Sequence, residues 1–192
     1  MKNVMLKAAS LLVGAFWTQC SAADFHPRVG VYYDSRGMPT TSLTLSASKL
    51  PLETDFFGFI DMYGKRQTFQ GADSVYGEFK LSRKVFGDVG VAIEQDQDFL
   101  RPFGVSRFGL SYEPNVSQFM KDGFVGVTVY PFATHHDGAQ VVFYGRKNFR
   151  KGDVYVEGFL DYNFKPGVIV SEVQFGKRLY RNLYGVLEAR YN

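Results

Sequence analysis

The segment GDVYVEGFLDYNF, residues 152–164, alternates strictly. Val154, Val156, Gly158, Leu160, Tyr162 and Phe164 fall on one side of an extended chain, and Asp153, Tyr155, Glu157, Phe159, Asp161 and Asn163 on the other. Successive side chains of a strand point to opposite faces, so the segment predicts a strand with one oily face and one acidic face. The same period recurs along the chain. VYGEFKLS sets Val75, Gly77, Phe79 and Leu81 against Tyr76, Glu78, Lys80 and Ser82, and DVGVAIE sets Val89, Val91 and Ile93 against Asp88, Gly90, Ala92 and Glu94. SRFGLSYE sets Phe108, Leu110 and Tyr112 against Arg107, Gly109, Ser111 and Glu113. GVIVSEVQFGKR sets Ile169, Val173 and Phe175 against Glu172, Gln174 and Arg178, with Ser171 interrupting the apolar side. NLYGVLEARYN sets Leu183, Gly185, Leu187, Ala189 and Tyr191 against Tyr184, Val186, Glu188 and Arg190.

FVGVTVYP and AQVVFYGR read as strands with a less polar second face, and RVGVYYD, TSLTLSAS and DFFGFIDMYG are further candidates. Turn chemistry such as SRGMP, KLPLET, RKVFGD, THHDG, FRKG, FKPG and YRN separates them. Helical periodicity is weak throughout. The expected fold class is all-β, an antiparallel up-and-down barrel. Because such barrels usually close with an even number of strands, the eleven candidate segments imply twelve strands, with ten as the alternative. A twelfth strand would lie in GKRQTFQGAD or QDQDFLRPF; with ten, RVGVYYD would lie outside the barrel.

Packing logic decides which face looks inward. A soluble barrel of lipocalin type turns its apolar face to a dense core, whereas an outer-membrane barrel turns it to lipid and lines its lumen with polar groups. The apolar phase here repeatedly holds Gly or Ala, at Gly77, Gly145, Gly158, Gly185 and Ala189, which would leave holes in a packed core. Aromatic residues gather near the predicted strand ends: Tyr63, Phe99, Phe103, Tyr112, Tyr130, Phe132, Phe149, Phe164 and Tyr180. Interfacial girdles have that placement. The expectation is therefore a transmembrane barrel, with the soluble barrel as the alternative.

The N-terminus agrees. Lys2 and Lys7 precede an apolar run from Ala8 to Trp17, and small residues Ser21, Ala22 and Ala23 follow. This is the order of a secretory signal, with cleavage expected after residue 23 and a single domain over 24–192. The run is too short for a spanning helix, which needs about 20 apolar residues. Cys20 is the one cysteine and would leave with the signal. Of 22 basic residues two lie in the signal, which leaves a near balance against 19 acidic ones. Nothing in that balance calls for a nucleic acid partner, and no cofactor is implied.

If the polar phase faces inward, the lumen holds Glu78, Arg107, Tyr155, Glu157, Asp161, Glu172, Arg178, Glu188 and Arg190. Charges of both signs leave two outcomes open: a weakly selective wet pore, or an interior paired shut. In the segment 55–63, Asp55, Phe57, Phe59, Asp61 and Tyr63 share one face.

The run VGVYYDSRGMPTTSLTLSASKLPLETDFFGFIDMYG, residues 29–64, resembles the opening strands of the Tsx-type nucleoside-specific channels. The resemblance implies a monomeric barrel of twelve strands with a narrow lumen that passes nucleosides. It also implies that Phe57 and Phe59 stack on the base while Asp61 binds ribose hydroxyls.

An enzyme that modifies lipid A would need a nucleophile beside a base. The histidines are His26 and the pair His135 and His136 in the turn ATHHDG, which reads as a solvated turn. The expected function is a passive channel for small polar solutes, nucleosides among them, in contact with outer-membrane lipid. A closed structural barrel and a lipid-modifying barrel enzyme are the alternatives.

Overall fold

Strict alternation lets every segment use one face for the outside and the other for the inside, which is what a single closed sheet requires. The computed structural model describes residues 23–34, 39–64, 72–134 and 138–191. Residues 1–22 of the expected signal, the stretch 65–71 within GKRQTFQGAD and the histidine pair at 135–136 lie outside the described residues.

Eleven strands are present among them: β1 (Asp24–Asp34), β2 (Pro39–Leu50), β3 (Thr54–Gly64), β4 (Ala72–Phe86), β5 (Val89–Asp98), β6 (Phe103–Tyr112), β7 (Gly123–Ala133), β8 (Gln140–Phe149), β9 (Val154–Asn163), β10 (Val168–Tyr180) and β11 (Leu183–Tyr191). Each pairs antiparallel with its neighbour in sequence, and β1 closes the ring by pairing parallel with β11, from Val29 opposite Leu183 to Asp34 opposite Glu188.

This corrects the expected count of twelve or ten and the wholly antiparallel pairing. An even count follows only if every neighbour is antiparallel, and one parallel seam lets eleven strands close. RVGVYYD belongs to the barrel as β1, and QDQDFLRPF holds the end of β5, a turn and the first residue of β6 rather than a strand of its own.

Short connections are built where the chain tolerates positive φ. Gly87, at φ +56°, opens the two-residue turn between β4 and β5 with open space where a side chain would be. That is the glycine-first geometry which matches strand twist in tight hairpins.

The two faces divide as the alternation requires. Leu43, Leu81, Ile93, Phe108, Leu110, Phe143, Leu160, Val173, Phe175 and Leu187 are exposed on the outer wall. Glu94, Arg107, Thr128, Tyr130, Tyr155, Tyr184 and Glu172 are buried inside. The contrast is steep: Leu187 is 66% exposed and Leu110 57%, against 5% for Glu94 and 6% for Arg107. The inside of this barrel is therefore more ionic than its outside, the reverse of a water-soluble core.

The glycines of the apolar phase lie on the outer wall. Gly145 pairs with Gly158 across β8 and β9, flanked by Val125 on β7 and Val173 on β10, which leaves a shallow apolar groove of about 260 Å³.

Two aromatics expected at the rims sit elsewhere. Tyr130 is fully buried in the lumen, and the Tyr63 hydroxyl, inside the barrel, bonds to Asp61. Both have the inward parity of their strands, and that parity outweighs proximity to a strand end. Phe99, Phe103, Tyr112, Phe132, Phe149, Phe164 and Tyr180 are exposed.

Candidate functional site in the barrel interior

Cross-strand register places all twelve expected interior residues on the inward face. Phe57, Phe59 and Asp61 of β3 lie opposite Lys80, Glu78 and Tyr76 of β4; Glu78 lies opposite Asp96 of β5. Arg107 of β6 lies opposite Glu94. Tyr155, Glu157 and Asp161 of β9 lie opposite Gly176, Gln174 and Val170 of β10. Glu172 lies opposite Arg190, and Arg178 opposite Tyr184; Glu188 lies opposite Gln174. The residues do not form one cluster. They divide into a waist, a lateral network and a mouth.

At the waist, Arg107 is clamped between two carboxylates of β5. Its Nη1 lies 3.1 Å from Glu94 Oε1 and also bonds Asp96, with the Arg107 and Glu94 side chains each 6% exposed. Tyr130 reaches over from β7 to donate to Glu94 Oε2 at 2.8 Å. Lys80 spans from β4 to Thr128 Oγ1 of β7 at 3.0 Å, and its ammonium stands 4.1 Å from the centre of the Tyr144 ring of β8. The Arg107 clamp joins neighbouring strands along the wall, whereas Tyr130 reaches from β7 to β5 and Lys80 from β4 to β7 through the lumen. Eight strands already enclose a space that side chains can fill, and eleven enclose more. Long ionic side chains and tyrosines take up the difference here.

The lateral network lies on β3, β10 and β11. Arg190 pairs with Glu172 at 3.7 Å and donates to the Tyr63 hydroxyl at 3.4 Å. Gln174 donates to Glu172 and Glu188 at 2.6 and 3.2 Å. Among the described residues, Asp161 Oδ1 is buried without a hydrogen-bond partner.

The mouth lies at the end where β1, β3, β5, β7, β9 and β11 begin. It opens into a vestibule of about 720 Å³, whose lining includes His26, Arg28, Phe57, Phe124, Arg146 and Tyr184. Two guanidiniums share one carboxylate there: Glu157 lies 2.8 Å from Arg146 and 3.8 Å from Arg28. Both stand over the Tyr155 ring, at 4.1 and 5.3 Å, within cation–π range. Tyr155 packs edge-on against Tyr184 at 5.6 Å beneath the two guanidiniums. Arg178 pairs with Asp153 at the rim at 3.2 Å.

From the vestibule an aromatic ladder descends along β3 and β4, with Phe57 6.2 Å from Phe59 and Phe59 6.1 Å from Tyr76. Charge is graded along the same axis. The vestibule is lined by Arg28, Arg146, Lys151 and Arg178 against Asp122 and Glu157. Farther in, the inward face carries Asp61, Glu78, Glu94, Asp96, Asp161, Glu172 and Glu188 against Lys80, Arg107 and Arg190.

Arg28 and Arg146 were not among the residues expected from sequence. Arg28 opens a segment that reads as apolar, and Arg146 is adjacent to Lys147, so two successive cations obscure the period. The signal that finds them is parity: Arg146 shares a face with Tyr144 and Asn148, and Arg28 with Gly30 and Tyr32. Comparison with protein families, with characterised proteins and with solved structures found no match to this chain.

Proposed function

We propose that this barrel is exported, spans a bacterial outer membrane and acts as a narrow passive channel for small polar solutes. The observation that carries the reading is the inversion of its two faces. An ionic interior behind a wall of exposed Leu, Ile, Val and Phe suits a solvent that is apolar outside and aqueous within. In water the same wall would be a contiguous apolar patch far larger than monomeric soluble proteins tolerate.

Solutes enter at the basic vestibule and meet the Phe57–Phe59–Tyr76 ladder, which offers stacking faces beside the Asp61 carboxylate. This arrangement favours solutes that combine a planar ring with hydroxyls, and nucleosides are such solutes. The waist sets the size limit, because Lys80 and Tyr130 reach into the lumen there beside the Arg107–Glu94 pair.

A closed structural barrel is the second reading, favoured by those same crossing bonds. Planar-bilayer recording of the purified protein separates the two. Discrete steps that added nucleosides reduce support a channel with a lumenal site, and steps indifferent to nucleosides leave a general small pore. A folded, inserted barrel that passes no current decides for the closed reading. Recovery of the native protein in the soluble periplasm would remove the membrane reading altogether.

A further inference from the structure

The vestibule carries a charge surplus that its internal pairing does not cancel. Arg28 and Arg146 are two cations on one carboxylate, with side chains 19% and 14% exposed against 25% for Glu157. A guanidinium has five donors in a fixed fork. Arg146 uses two of its nitrogens, Nε toward Asn148 at 2.8 Å and Nη1 toward Glu157. Arg28 approaches Glu157 only at 3.8 Å, beyond hydrogen-bond length. The pair therefore keeps donors and about one positive charge directed into a concave space.

The other linings are complementary to an apolar body. Phe124 is the cross-strand partner of Arg146 on the same face, which puts their Cβ atoms about 5 Å apart. Phe57, 38% exposed, stands on the wall two strands from Arg28. Arg178, Lys151 and Asp122 lie at the rim of the same cavity, and the Arg178–Asp153 pair leaves the surplus with Arg28 and Arg146.

We propose that the vestibule is a binding site for a small organic carboxylate with a ring-sized apolar body, its carboxylate held by Arg28 and Arg146 and its ring lodged between Phe124 and Phe57. One negative charge matches the surplus, and a planar carboxylate matches the guanidinium fork. The acidic interior beyond the vestibule, from Glu78 to Glu188, repels an anion. The site therefore holds such a ligand at the mouth and does not draw it through. The inference uses the same vestibule as the channel reading but needs only a folded barrel.

The test uses the protein expressed from its full-length sequence and purified in a zwitterionic detergent at pH 8. Saturation-transfer NMR titrations measure benzoate, with benzamide as the neutral isostere. Benzoate is expected to bind about tenfold or more tightly than benzamide, the effect of one charge-assisted contact. Arg28→Gln and Arg146→Gln should each erase most of that preference. Glu157→Gln should increase benzoate affinity several-fold, because it frees both guanidiniums.

The opposite signs keep the test decisive even where one variant folds poorly, since folding of each is read by heat-dependent electrophoretic mobility. Equal affinity for benzoate and benzamide, or benzoate affinity unmoved by both arginine changes in folded barrels, overturns the site. A protein that conducts but shows no benzoate preference loses this inference and keeps the channel. One that binds benzoate and passes no current does the reverse.

Discussion

Replacing Arg107 with methionine isolates the energetics of the waist. The guanidinium is almost wholly buried, 3.1 Å from Glu94 and bonded to Asp96. At that distance and an effective dielectric near 20, one ion pair is worth about 5 kcal/mol. Methionine fills much of the volume but leaves two adjacent buried carboxylates with no cation between them. Removing one partner from a buried pair costs about 3–5 kcal/mol. Lys80, directly opposite Glu94 on the neighbouring strand β4, still acts on it, so the lower end, about 3 kcal/mol, is expected. The assay is a urea titration followed by far-ultraviolet circular dichroism, with the protein in lipid vesicles. The triple change Arg107→Met, Glu94→Gln, Asp96→Asn should recover all but about 1 kcal/mol, because replacing a buried ionic group as a whole is close to neutral. The amide that takes the place of the Glu94 carboxylate in this triple variant keeps an acceptor for the Tyr130 hydroxyl. A loss below about 1 kcal/mol in the single variant, or a triple variant no more stable than the single, would refute the account of the waist as a desolvated ionic clamp.

Three further outcomes follow from other parts of the barrel. Ile93→Arg, on the outer wall at mid-strand, should cost about 2–4 kcal/mol for a barrel folded in a bilayer, read in the same titration; no cost there would contradict lipid contact at that level. Gly109→Ala should cost about 1–3 kcal/mol, because a methyl group at that position overlaps the Val129 carbonyl of β7, which cannot move without disturbing the pairing beside it. Lys49→Ala removes the 2.7 Å pair with Asp24, whose side chains are 70% and 49% exposed, and should leave the urea midpoint unchanged because solvent screens such a pair, with any effect disappearing in high salt.

The strands and their two faces were legible in the sequence because one period explains both. Once Val156 and Leu160 are assigned outward, Glu157 and Asp161 must point in, and the same step assigns Glu78, Arg107, Glu172 and Arg190. Closure was not legible. Nothing local in RVGVYYD or NLYGVLEARYN shows that these strands meet side by side and parallel, so the rule of even counts was applied to a ring that departs from it. For Tyr63 and Tyr130, parity along the strand decides the face and nearness to a strand end does not.

The vestibule was hidden for a different reason. Arg28 and Glu157 lie 129 positions apart in the numbering and three strands apart around the ring, and only the closed ring brings them within 3.8 Å. Sequence reading gave each interior charge a face, but not the partner it meets across the lumen.

The single parallel seam also governs how this protein can be assembled. Ten of the eleven joints form between strands adjacent in sequence and can zip together as the chain emerges. The last joins Val29 to Leu183, 154 positions away, and it must wait for every hairpin between them. Contacts of such separation are slow because chain entropy is lost before they form. Until they do, β1 and β11 remain open edges, each able to pair with a strand of another chain. The step most exposed to error in making this barrel is therefore its closure, and a factor that guides its folding would act most effectively by holding those two edges.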